Sequence, residues 1–472
     1  MFKLFSSRHR YYMYDGNTNS LLSISKNDFD VLSGNEKNNV EYDVVIKRYQ
    51  DQGYCLPQNV SILEHNQSCV LECHLARRIE QMTLQVTQNC NLRCGYCVYS
   101  GRYDNRGHSN KTMSFETAKK SIDFLVEHSA DLDRAALAFY GGEPLLEIGL
   151  IRKCIEYINE VYPYKKFSYT LTTNATLLIG DTVKFLSDNE FQVMVSIDGP
   201  EEMHNKHRRF PDNRGSFSTI IKNLETIKEE YPRFYERISV NMVVTPEHDY
   251  KCVVDYFDTD ASLKFLSAHS SLLNQYGFKD RTSYSELYSI TYKHESFKLL
   301  LYMIGKIDVV NVSNLFLPNV SNHVRLHKYL EPVKALPSKC HPGGPCIPGA
   351  KRLFVNAYGL LYPCERVRED SEVMNIGSLD GGFDIDKASS LLNFGKVTPE
   401  ACMSCWCMTH CSLCAASADD GEKLSPELKS SYCAQSQFSF VEQLRDYCFL
   451  VENGYDFEKE GEDNSRFIDL PI

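Results

Sequence analysis

Eighteen cysteines stand in 472 residues, and their spacing marks where chemistry can occur. Cys90-Asn-Leu-Arg-Cys94-Gly-Tyr-Cys97 is a C-x3-C-x2-C loop. Three thiolates so spaced supply a cubane of four irons and leave the fourth iron open to a chelating small molecule. A structural zinc ion asks instead for four ligands in C-x2-C pairs. A second concentration holds Cys340, Cys346, Gly359, Cys364, then Cys402-x2-Cys405-x5-Cys411-x2-Cys414, and Cys433, with Cys407 as an extra thiol inside the run. A loop-like stretch of this composition cannot pack a core without metal crosslinks, and zinc-ribbon staples are the competing account of its C-x2-C pairs. Two further stretches contain reactive side chains: Tyr140-Gly141-Gly142-Glu143-Pro144, and Ser196-Ile-Asp198-Gly-Pro with Arg208 twelve residues beyond Ser196. Taken alone, the first is an ordinary turn, Asp198-Gly199 a turn dipeptide and Arg208 a solvated cation.

Placing these residues requires a repeated scaffold, and the sequence from about Met82 reads as one. Strands are expected near Leu84 to Val86, Ala135 to Tyr140, Tyr169 to Thr173, Val193 to Ile197 and Val240 to Val244. Between them, Phe115, Ala118, Ile122 and Leu125, and Phe217, Ile221, Leu224 and Ile227, recur at the helical period. Regular alternation means an α/β parallel sheet or barrel with its active loops at the C-terminal ends of the strands, where the cysteine loop, Gly141 to Glu143 and Ser196 fall. Residues 1–78 read as a separate small α+β unit and linker. Tyr11 to Tyr14 and Leu21 to Ile24 form a hairpin through Asp15, Gly16 and Asn17; a helix follows that Ser25 caps, then one that stops at Gly53, with Pro57 to His74 as the linker. The core and its helical connection then occupy 79–335, where the topology after residue 250 is not readable, and the cysteine-rich domain with a C-terminal tail occupies 336–472.

Composition bounds the partners. The chain is 43% hydrophobic and 24% charged, with no apolar run long enough to cross a bilayer, and its first residues turn polar too soon for a secretory signal. A cytoplasmic location is expected. A formal charge of −11, with no concentration of Lys and Arg, disfavours nucleic acid. In a large cytosolic chain such cysteine density indicates metal or catalytic thiolates rather than disulfides. Cys55, Cys69, Cys73, Cys154, Cys252 and Cys448 fit no ligand pattern and read as single thiols.

The cysteine loop resembles the signature of the radical-AdoMet superfamily, over about residues 82 to 245. That resemblance implies a partial (β/α)6-type barrel in which a [4Fe-4S] cluster on Cys90, Cys94 and Cys97 is chelated by S-adenosyl-L-methionine, whose reductive cleavage gives a 5′-deoxyadenosyl radical. It also implies that Gly141, Gly142 and Glu143 hold the AdoMet ammonium, that Ser196 and Arg208 contact ribose and carboxylate, and that Tyr96 lies near the adenine; Asn174 is a weaker candidate. The cysteine-rich part resembles a SPASM domain with two auxiliary [4Fe-4S] clusters, Cys340, Cys346, Cys364 and Cys414 holding the first and Cys402, Cys405, Cys411 and Cys433 the second. It departs from the usual pattern at Cys411-x2-Cys414, where three residues normally intervene, and at Cys407. The N-terminal unit is similar to the winged-helix leader-recognition domains of peptide maturases. The domain order therefore implies a maturase of cysteine-rich precursor peptides that forms thioether crosslinks, as in sactipeptides and ranthipeptides, with a small reductant protein such as ferredoxin or flavodoxin as partner. Two alternatives are formylglycine formation on sulfatases, and a non-catalytic iron–sulfur carrier or peptide-binding protein.

Overall fold

Three short strands open the chain: β1 (Phe2–Ser6), β2 (Tyr11–Asp15) and β3 (Ser20–Ile24), antiparallel and in the order β1-β2-β3. The computed structural model describes residues 1–34, 40–103, 107–246, 249–264, 266–274, 276–279 and 283–458. β2 and β3 were expected on either side of the turn residues Asp15, Gly16 and Asn17; β1 was not. Helices Lys26–Ser33 and Val40–Asp51 follow, the first capped by the Ser25 hydroxyl, which accepts from Asp28 N. Met13 and Ile24 pack with Leu32, Val45 and Tyr49 of these helices. Phe5, Tyr12 and Tyr14 pack instead with Leu326, Leu330, Phe440 and Leu444, so this sheet is covered on both faces. Its β2–β3 turn is buried as well. Asp15, Asn17, Thr18 and Asn19 are all covered, and a Cβ on Gly16 would come within 2.1 Å of the Trp406 carbonyl oxygen.

The segment expected to be a featureless linker is stitched to the rest of the molecule. Ile62–Leu63 (β4) pairs in parallel with Lys339–Cys340 (β11), Leu63 opposite Cys340, and helix Leu71–Arg77 sends Leu71 and Leu75 into the main core. Few apolar residues mark these pieces, because only one face of each is covered.

Six parallel strands then run in sequence order across one sheet: β5 (Gln81–Thr87), β6 (Arg134–Gly141), β7 (Lys166–Thr173), β8 (Gln192–Ser196), β9 (Ile238–Val244) and β10 (Ser267–Leu272). The first five match the expected strands. β10, Ser-Ala-His-Ser-Ser-Leu, lacks the apolar alternation that would announce it, since it is an edge with only Ala268 buried. On the far side of β5 lies β12 (Leu353–Val355), parallel to it, followed by the antiparallel β13 (Leu360–Tyr362), β14 (Gly377–Ser378) and β15 (Gly382–Phe383). The sheet is open, with β10 and β15 at its edges. Helices between the parallel strands cover one face; Ala118, Ile122 and Leu125, and Ile220, Leu224 and Ile227, enter the core from two of them. In β5, Met82, Leu84 and Val86 join that core while Thr83, Gln85 and Thr87 are just as buried. Side chains alternate across a strand, so the opposite face is an enclosed polar interior.

The C-terminal region is less loop-like than its composition implies. It contains helix Ile385–Leu392 and the long helix Pro426–Glu452, started by the Ser425 hydroxyl accepting from Leu428 N and by Pro426 in its first turn. Among the described residues no helix is long and apolar enough to cross a membrane. Residues 459–472, which complete the last expected domain, lie outside the described residues.

Candidate active site

The residues singled out by chemistry gather at the C-terminal ends of β5 to β9. The loop after β5 carries Cys90, Cys94 and Cys97, half-buried and close enough for their charges to act on one another. Gly141 and Gly142, at the end of β6, lie directly against its start. Gly142 N donates to Thr87 O at 2.9 Å and Glu143 N to Asn89 O at 2.9 Å. A Cβ on Gly141 would meet Thr87 O at 2.1 Å, and one on Gly142 would meet Asn89 O at 2.1 Å. Only glycine permits two backbones to approach so closely, so the immediate neighbour of this pair is the cysteine loop itself.

Glu143 is fully buried and spans two strand ends. Its carboxylate accepts from Thr173 Oγ1 at 2.7 Å, Asn174 N at 2.8 Å and Leu145 N at 3.0 Å. Burial nevertheless pushes its pKa up to about 7. Asn174 then reaches the cysteine loop, donating through Nδ2 to Asn91 Oδ1 at 2.8 Å with Cys90 Sγ at 3.8 Å, while Asn91 Nδ2 donates to Thr176 Oγ1 at 2.7 Å. Asn91, Thr173 and Thr176 escaped the sequence reading because short polar residues after strands are the commonest loop residues.

Beyond β8, Asp198 and Arg208 form a buried ion pair, Arg208 Nε donating to Asp198 Oδ2 at 2.8 Å. The Tyr96 hydroxyl donates to the same oxygen, Val243 N donates to Oδ1 at 3.2 Å, and the guanidinium lies over the Tyr96 ring at 5.4 Å. Burial alone would raise the Asp198 carboxyl, but Arg208, His204 and these hydrogen bonds hold it below its usual range. Neither residue is therefore a solvated surface group. The strand also clasps the cysteine loop through its following segment: Arg93 N donates to Arg209 O at 2.7 Å and Gly95 N to His207 O at 3.1 Å. Ser196, half-buried, ends β8. In the polar interior, Gln85 Nε2 donates to Glu369 Oε1 at 2.7 Å and to the Tyr99 hydroxyl at 2.8 Å, which brings a residue of the cysteine-rich region under the site.

The cysteine-rich thiols fall into two groups. Cys346, Cys364 and Cys414 act on one another electrostatically, and burial pushes Cys364 up to about 12. Cys402, Cys405, Cys411 and Cys433 form the other, with buried Cys407 beside them. Cys340 shares an apolar cluster with Leu63, Leu336, Cys402 and Cys405, so the structure does not bring it together with the first group.

These donor sets fit iron–sulfur chemistry. Burial pushes Cys90 up to about 12, so as a free thiol it keeps its proton; a cluster replaces protons with iron and stabilises the thiolate. Among the described residues no three His, Cys, Asp or Glu converge to hold a single metal ion, and a cubane, in which each thiolate meets its own iron, does not require that. Residues 84–259 match the family model of the Radical SAM superfamily. Residues 84–259 are thus a radical SAM domain. A cysteine-type anaerobic sulfatase-maturating enzyme of Clostridium perfringens (strain 13 / Type A) is 27% identical over 369 residues, covering 75% of this chain and 93% of that protein. The radical SAM cyclopropyl synthase TigE of Paramaledivibacter caminithermalis is 26% identical over 254 residues, covering 51% and 50% respectively. Among solved structures, native anSMEcpe with bound AdoMet is similar at a TM-score of 0.57 and 22% identity, over 78% of this chain and 99% of that one, which shows a shared fold. The radical SAM family implies AdoMet and a [4Fe-4S] cluster for this enzyme.

Proposed function

We propose that this radical SAM enzyme modifies a ribosomally made, cysteine-rich precursor peptide and joins cysteine sulfur to carbon in thioether crosslinks. The observation that carries the reading is β3. It pairs on one side only, in a small sheet whose faces are both covered, so its free edge, like that of β1 on the opposite side, is left to recruit an extended peptide by strand addition. On this reading the N-terminal module holds the leader, the barrel interior receives the core peptide, and the cysteine-rich region is a SPASM domain. By sequence position the first of its two auxiliary [4Fe-4S] clusters takes Cys340, Cys346, Cys364 and Cys414, although the structure groups only the last three; the second takes Cys402, Cys405, Cys411 and Cys433. The enzyme works in the cytoplasm with a small reductant protein such as ferredoxin or flavodoxin.

Cys90, Cys94 and Cys97 would hold the cluster that AdoMet chelates, and together these groups would supply radical chemistry for hydrogen abstraction from a peptide carbon. The chain's own residues hold that chemistry in place. Gly141, Gly142 and Glu143 shape the cofactor's amino end, Ser196 and Arg208 its ribose and carboxylate, and Tyr96 its base. The buried Asp198–Arg208–Tyr96 network keeps the guanidinium oriented, and Asn174 fixes the loop at Cys90. Closely packed strand ends exclude water from the site.

The second reading, formylglycine formation, is favoured by the similarity to the sulfatase-maturating enzyme. One experiment separates the two. Anaerobic incubation with a cysteine-rich precursor, AdoMet and reductant should lower the peptide mass by about 2 Da per crosslink, a loss that thiol reductants do not reverse because exchange attacks only sulfur–sulfur bonds. An aldehyde on a single residue, or recovery of all thiols on reduction, rejects the thioether reading. Absence of 5′-deoxyadenosine would favour a non-catalytic carrier. Truncation to test the leader module belongs before residue 57, since Leu71 and Leu75 are part of the main core.

A further inference from the structure

Lys429 is a cation in an unfavourable place. It is 1% exposed and sits in the first turn of helix Pro426–Glu452, where the helix dipole disfavours positive charge. Its ammonium donates to Phe394 O at 3.1 Å, to Gly395 O at 3.4 Å and to Cys402 Sγ at 3.2 Å, and lies over the Phe394 ring at 4.5 Å. Among the described residues no carboxylate pairs with it. A buried charge is tolerated only when paired, and of these partners only the Cys402 sulfur can carry a negative charge.

The same helix face serves the other sulfurs. Lys429, Cys433, Ser436 and Gln437 are spaced by four, three and one residues and so share one side of the helix. Gln437 Nε2 donates to Cys405 Sγ at 3.4 Å, and Ser436 Oγ lies 4.0 Å from Cys411 Sγ. One helix thus contributes one cysteine of the group and a polar donor toward each of the other three, of which only Lys429 carries a full charge.

We propose that Lys429 is the built-in countercharge of an iron–sulfur cluster held by Cys402, Cys405, Cys411 and Cys433, a positioning residue acting through Cys402 to favour the cluster's reduced state. The inference rests on the auxiliary-cluster reading above. Reduction adds one electron to the cluster and neither forms nor breaks a bond; hydrogen bonds and charge at the sulfurs set how favourable that addition is. Removing the ammonium should shift the equilibrium about tenfold toward the oxidised form, a midpoint about 59 mV more negative for a one-electron couple.

The test uses the full-length chain in which Cys90, Cys94 and Cys97 are alanine, so that only auxiliary clusters contribute. Lys429→Met and Lys429→Arg are made in that background, reconstituted anaerobically, counted for iron, and titrated with dithionite under electron paramagnetic resonance. The inference expects about eight irons throughout, a lowered midpoint in Lys429→Met and its recovery in Lys429→Arg. Loss of about four irons in Lys429→Met alone also supports it, because a retained charge then restores the cluster. Eight irons with an unchanged midpoint in Lys429→Met, or iron loss in both variants, overturns the role of Lys429 and leaves the clusters standing. Zinc or no metal before any change at Lys429 overturns the auxiliary-cluster reading itself.

Discussion

Gly142→Ala tests whether the Gly141–Gly142 pair serves the cysteine loop. The added Cβ would stand 2.1 Å from Asn89 O and 3.1 Å from Cys90 N, where real contacts begin at about 3.0 Å. The Asn89–Cys90 backbone must therefore retreat by about 1 Å, and the Glu143 N to Asn89 O bond that closes the two strand ends opens with it. Overpacking of this size destabilises by about 1 to 3 kcal/mol, which leaves the protein folded. The larger effect falls on geometry, since a shift of about 1 Å at reacting groups costs on the order of a hundredfold in rate. Purified anaerobically, the variant should keep the wild-type far-UV circular dichroism while 5′-deoxyadenosine production drops about a hundredfold. A variant that produces 5′-deoxyadenosine at the wild-type rate with full iron content would refute the argument that these glycines exist to let the loop approach.

Two further expectations follow from other parts of the molecule. Replacing Cys90, Cys94 and Cys97 together by alanine should abolish AdoMet cleavage and lower the iron content from about twelve to about eight, because the remaining thiols lie in a different region; equal iron in both proteins would show that this loop holds no cluster. Asp446, on the long C-terminal helix, has its pKa raised to about 7 by burial and by the nearby Glu442. The folded state thus keeps a proton that the unfolded chain has lost above about pH 4, so stability falls as pH rises from there to about 7, by at most about 4 kcal/mol. Asp446→Asn should raise the melting temperature over wild type by more at pH 8 than at pH 5, and an equal difference at both pH values would contradict the assignment.

The sequence announced those elements whose burial is apolar and periodic. β5 to β9 and the helices between them carry Val, Ile and Leu at the spacings that packing requires, and their positions match. The cysteine loop was legible because cluster ligation dictates spacing directly. Elements buried by polar or one-sided contacts were hidden. The first half of helix Pro426–Glu452 directs Lys429, Cys433, Ser436 and Gln437 inward, so it lacks the apolar stripe that identifies a helix. Strand β10 hides for a related reason, with one buried residue in six. In the site, Asp198, Arg208 and Glu143 were nameable by motif, but their partnership is not: Asp198 and Arg208 are ten residues apart, and Glu143 meets Asn174 across two strands. Cys340 is placed by its pairing with the segment around Leu63, a long-range contact that no local spacing encodes.

Hairpin tips ordinarily face solvent, yet the one between β2 and β3 is driven into the cysteine-rich region. Asn19 Nδ2 donates to the carbonyls of Tyr329 and Glu331, its Oδ1 accepts from Tyr14 and from His410 Nε2, and Gly16 leaves no room above Trp406. The small N-terminal sheet is thereby keyed to the strip of chain running from Cys405 to Cys411, without slack between them. A peptide anchored along β3 would have a set distance to cover, from its anchor to the strand ends that carry the cysteine loop. An extended chain spans at most about 3.3 to 3.6 Å per residue. On the proposed function, the stretch of precursor between anchor and modified residue would need a minimum length, and shortening it below that span would silence modification at the near sites first, while leaving peptide capture intact.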